Sequence, residues 1–75
     1  MEQPSLGDQE LEVLRFVAEN APISVGQVAE RFGEPRGLAR TTILTVMERL
    51  RKKGYLTRSK GERPFRYAPR TAQAE

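Results

Sequence analysis

Apolar residues recur at three- and four-residue steps from Gly7 to Lys53 and then alternate after Gly54. The first spacing predicts helices and the second predicts strands. A first helix starts at Gly7, a suitable N-cap, with Glu10 at the third helical position. Its apolar stripe is Leu11, Leu14, Val17 and Ala18, widened by Val13 and Phe16. Asn20, which tolerates a left-handed cap, and Pro22, which cannot continue a helix, end it. Ile23 then makes a very short extended stretch. Ser24 followed by Gln27 is a capping-box pattern, predicting a second helix from about Val25 to Phe32 that buries Val28, Ala29 and Phe32 and stops at Gly33. A loop containing Pro35 and Gly37 leads to a third helix over about 39–53. Ile43, Val46, Met47 and Leu50 form its buried face, and Gly54 is its left-handed cap.

Beyond Gly54 the pattern gives a strand at Tyr55, Leu56 and Thr57, a turn at Ser59-Lys60-Gly61-Glu62, and a returning strand at Phe65, Arg66 and Tyr67. Phe65 and Tyr67 share one face of that strand and read as structural rather than as a base-stacking pair. Pro64 lacks an amide hydrogen and fits the tip or an edge. The fold class is therefore mainly α with a small β-hairpin, a winged helix-turn-helix of three helices plus wing. Residues 7–69 form that domain, 1–6 a flexible amino-terminal arm and 70–75 a carboxy-terminal tail; no internal repeat is visible.

Composition narrows the chemistry. The chain has neither Cys nor His, so it offers no disulfide, no thiolate metal site and no imidazole base. No paired carboxylates compensate, and neither an enzyme, a metal site nor a cofactor is expected. Apolar runs are too short to span a bilayer and no signal pattern is present, so a cytoplasmic, nucleoid-associated protein without membrane or small-molecule partner is expected. The net charge of +3 conceals a division. Residues 1–34 carry seven acids against two bases, a balance of −5, and residues 35–75 carry eleven bases against three acids, a balance of +8. Such segregation suits a positive face aimed at a polyanion and a neutral or negative back.

The third helix carries the candidate contacts to duplex DNA. Thr41, Thr42 and Thr45 lie opposite its buried face, where hydroxyls reach base edges and methyls touch thymine. Thr is a poor helix former, so three within five residues are an unforced cost unless they serve a contact. Leu44, also off the core stripe, either touches a thymine methyl or packs under the wing. For phosphates the candidates are Arg40 at the helix start, Arg49, Lys52 and Lys53 towards its end, and Lys60, Arg63 and Arg66 on the hairpin. Arg49 has an alternative, pairing with an acid such as Glu48 or one on the first helix. The alternative for the whole domain is a winged-helix protein-interaction module without specific DNA binding.

Three segments carry a family resemblance: LGDQELEVLRFV near the start, TTILTVMERLRKKGYLTR in the middle and ERPFRYAP at the end. They resemble the BlaI/MecI/CopY penicillinase-repressor family over about residues 6–69. Thr42, Ile43, Thr45, Val46, Met47, Arg49 and Leu50 fill that family's recognition-helix pattern, and Arg63, Phe65, Tyr67 and Pro69 its wing pattern. Leu44 departs from it, since relatives often carry a polar residue there. The resemblance implies a bacterial transcriptional repressor that binds promoter or operator DNA, with Thr42 and Thr45 in the major groove and the Arg63 wing on the backbone. It also implies a carboxy-terminal helical segment for dimerisation and sensing. No stretch after Pro69 has enough apolar residues for such a seam, so the family's dimerisation segment is expected to be absent and the chain to be monomeric.

Overall fold

The computed structural model describes residues 6–61 and 63–70. The expected arm and tail, Arg70 and Leu6 excepted, lie outside the described residues, as does Glu62 of the expected turn. The elements are α1 (Asp8–Asn20), β1 (Ile23–Ser24), α2 (Val25–Val28), which continues as a π turn over Ala29–Gly33 and a 3-10 turn over Glu34–Arg36, α3 (Arg40–Lys52), β2 (Leu56–Arg58) and β3 (Arg66–Pro69). Three helical segments and an antiparallel sheet at one end make a winged helix.

Helix starts follow from local chemistry. The Gly7 amide donates to Glu10 Oε1 at 3.1 Å, the return half of a capping box. Both halves are present at α2, where the Gln27 amide donates to Ser24 Oγ and the Ser24 amide to Gln27 Oε1, each at 3.2 Å. The end of α3 is a Schellman motif: Gly54 has φ 91°, its amide donates to Arg51 O at 3.0 Å, and the Tyr55 amide reaches back to Leu50 O at 2.9 Å. Only glycine takes that φ without strain.

Other ends depart from expectation. Asn20 does not adopt a left-handed backbone; it stays helical and its Nδ2 donates to Phe16 O at 2.8 Å, while Ala21 is already extended. Gly33 does not stop the second helical segment, which passes through the π turn and the 3-10 turn to a left-handed Gly37 (φ 71°). Gly33 is needed for space: a Cβ there would stand 3.1 Å from Leu38 O and 3.3 Å from Ile43 Cγ1. The apolar stripe of α1 is also rotated. Val13 and Val17 are buried, whereas Leu11 is 40% exposed and Ala18 faces solvent.

One core joins all layers. Val13 and Val17 of α1, Val28 and Phe32 of the second helical segment, and Ile43, Val46, Met47 and Leu50 of α3 pack with Ile23, Leu56 and Tyr67 from the three strands. The expected hairpin is present, but it is part of a three-stranded sheet of order β1-β3-β2. Ile23 and Ser24 pair with Tyr67 and Arg66, and Leu56, Thr57 and Arg58 with Pro69, Ala68 and Tyr67, all antiparallel. The strand after Gly54 starts at Leu56 rather than Tyr55, because the Tyr55 amide is engaged in closing α3. Among the described residues no helix is long and apolar enough to cross a membrane.

Candidate nucleic-acid interface

Burying Ile43, Val46, Met47 and Leu50 turns the opposite side of α3 outward. Thr41, Leu44, Thr45, Arg49 and Lys52 are exposed there, Leu44 by 44%, and Thr42 is half-buried at the margin. Thr45 Oγ1 donates to the Thr41 carbonyl at 2.9 Å. Its proton is thereby occupied, and the methyl and the oxygen lone pairs remain for a ligand. Gln9, at the start of α1, borders the same threonine surface together with Thr42 and Arg49. Sequence reasoning missed Gln9, since nothing local ties the first helix to that surface.

The basic side chains have different settings. Arg40 is exposed at the first turn of α3, with its guanidinium over Gly26. Lys60, Arg63 and Arg66 are exposed on the hairpin. Arg63 lies against the Phe65 ring at 5.2 Å, and Arg58 lies over that ring at 4.4 Å. Phe65 is thus held by cations while Tyr67 is buried in the core, in keeping with a structural pair. Arg49 makes no ion pair among the described residues, although its charge helps hold Glu10 ionised. Lys53 Nζ lies 3.0 Å from Glu10 Oε1, a contact between the end of α3 and the start of α1.

Between α2, α3 and the wing runs a groove of about 420 Å³ lined by Gly26, Arg40, Leu44, Arg58, Arg63 and Phe65 among others. Glu48 forms part of its wall. The Glu48 carboxylate accepts from Arg51 Nη2 at 2.8 Å, Arg58 Nη1 at 3.3 Å and Tyr67 OH at 2.6 Å. No sequence pattern pointed to this cluster: its partners come from three elements and only Arg51 is local.

Both acids of these contacts titrate low. Glu48 is brought down to about 2, first by the Arg51 hydrogen bond and then by Tyr67, against the opposing effect of burial. Glu10 is lowered by Lys53 first and by the Gly7 amide second. Their folded values lie below the ordinary 4.5, so the unfolded chain binds more protons in acid. The stabilisation is complete above that value and is lost as pH falls through the folded values. The thermal midpoint should therefore drop between pH 4.5 and about 2. Glu48→Gln should flatten that drop, which thermal melts at stepped pH will read.

The fold defines a class: the described residues form a winged-helix domain, with a threonine-bearing face on α3 and cations on that helix and on the hairpin. The sequence profile of the penicillinase repressor family matches residues 6–75, and the chain belongs to that family. It is 40% identical over 65 residues to the transcriptional regulator BlaI of Mycobacterium tuberculosis, covering 85% of this chain and 47% of the relative. It is 31% identical over 72 residues to the penicillinase repressor of Bacillus licheniformis, covering 96% and 56% respectively. The chain spans about half the length of these relatives. Family members are transcriptional repressors, not enzymes.

Proposed function

We propose that residues 7–69 bind double-stranded operator DNA sequence-specifically as the DNA-binding domain of a bacterial transcriptional repressor. In this reading α3 enters the major groove. Thr41, Thr42, Leu44 and Thr45 face base edges, and Leu44 is the apolar member suited to a thymine methyl. Arg40, Arg49, Lys52, Lys60, Arg63 and Arg66 take phosphates, with Lys53 contributing in competition with its pair to Glu10. Repression follows from occupancy, since a domain seated on a promoter excludes other proteins from it. The observation that carries the reading is the exposed threonine face of α3 lying between the cations of its own two ends.

The test is a titration of the chain against a random duplex and against the best duplex selected from a random pool, over a range of salt. With about four of these cations engaged on phosphates at any one time, log K should fall with log salt at a slope near −3.6, roughly a hundredfold loss for about a fourfold rise in salt. Thr45→Ala should weaken the selected duplex more than the random one, because only base contacts carry sequence information. Absence of binding at low salt would favour the protein-interaction module and overturn the proposal. An unchanged ratio in Thr45→Ala would mean that a different helix face reads the bases.

A further inference from the structure

Glu48 is an acid where a DNA-facing surface should repel one. It lies on the outward half of α3, one turn beyond Leu44, at the wall of the groove between helix and wing. Its carboxylate is held by three donors from three elements: Arg51 on α3, Arg58 on β2 and Tyr67 on β3. The Tyr67 ring is 1% exposed and paired with Ile23 across the sheet, so this end of the cluster is fixed in the core. From Arg58 the contacts run outward: its guanidinium lies 4.4 Å over the Phe65 ring, and Arg63 lies against the same ring at 5.2 Å. A continuous set of contacts therefore joins the middle of α3 to an exposed cation of the wing.

Two physical effects follow. The carboxylate fixes the wing root against α3, so the distance from Thr45 to Arg63 is set before any ligand arrives. It also occupies Arg51 and Arg58, two guanidinium groups that would otherwise be available to any phosphate. We propose that Glu48 is a positioning residue for sequence discrimination: it holds the wing in register with the base-reading face of α3 and keeps affinity for arbitrary DNA low. This inference rests on the DNA-binding reading above.

Glu48→Gln and Tyr67→Phe separate the two effects. Glu48→Gln removes the charge and loosens Arg51 and Arg58. Binding to a random duplex at 0.15 M salt should rise about fivefold, and the salt slope should steepen by about one unit, as one more phosphate is engaged. The selected duplex should gain less, so the discrimination ratio falls. Tyr67→Phe keeps every charge and removes one hydrogen bond; its salt slope should stay unchanged while the ratio falls. It also removes only a single oxygen, so it keeps the test open if Glu48→Gln fails to fold. Amide exchange measured without DNA should quicken at Arg58, Arg66 and Tyr67 in both variants. A residue that served stability alone would weaken both duplexes in parallel and leave the slope unchanged. No DNA binding by the wild-type chain would overturn the DNA reading and this inference together. Discrimination by the wild type, with ratio, slope and exchange unmoved in both variants, would overturn this inference alone.

Discussion

Ile43→Ala is expected to lower the unfolding free energy by about 2–5 kcal/mol, the range for removing most of a buried aliphatic side chain. Ile43 is fully buried, and its Cγ1 and Cδ1 lie close to Gly33, where the π turn approaches α3. No neighbour can easily collapse into the space, because the backbone at Gly33 is already fixed by the Leu38 amide donating to its carbonyl at 2.9 Å. A domain of this length has a total stability of about 4–11 kcal/mol. The substitution should therefore lower the melting midpoint by at least about 10 °C and leave part of the population unfolded at 37 °C. Leu44→Ala, one residue along and 44% exposed, should change stability by less than about 0.5 kcal/mol. Chemical denaturation followed by circular dichroism measures both. Equal effects would mean that α3 seats on the core by another face.

Replacing Lys60, Arg63 and Arg66 together by Ala should reduce DNA affinity on the order of a hundredfold at 0.15 M salt and flatten the salt slope by nearly three units. All three are exposed on the hairpin, so the melting midpoint should stay close to that of the parent chain. Random and selected duplexes should weaken in parallel, unlike the selective effect of Thr45→Ala, because a phosphate contact carries no sequence. Fluorescence anisotropy at several salt concentrations reads both slope and ratio. A slope unchanged in the triple variant would place the wing away from the backbone.

What the sequence disclosed was the chemistry that acts over a few residues. Glu10 three positions after Gly7, Gln27 three after Ser24, and Gly54 behind the basic end of α3 are local pairs or caps, and all three act as read. The buried face of α3 was legible because four apolar residues at helical spacing leave only one orientation. The first helix was harder. Its apolar residues surround more than half the circumference, and the sequence cannot say that buried Glu10 would share the inner face through its pair with Lys53. Gly33 read as a stop because glycine has two uses, a left-handed backbone and a missing side chain, and here it serves the second. The extended stretch at Ile23 was legible, but its place in the sheet was out of reach, because Ile23 and Ser24 pair with Tyr67 and Arg66 more than forty residues away. The Glu48 cluster was hidden for the same reason, since Arg58 and Tyr67 meet it only after the sheet has formed.

The place of β3 in the middle of the sheet bears on the thermodynamics of encounter. A free two-stranded hairpin is marginal in water, and a domain that carried one as an arm would have to immobilise it on the duplex. That loss of conformational entropy would be subtracted from the affinity. Here β3 is hydrogen-bonded along both sides, to β1 and to β2, so the entropy of ordering the wing root is surrendered when the chain folds. Binding energy gained at the wing is then kept as affinity, and the ordering left for the complex is that of exposed side chains.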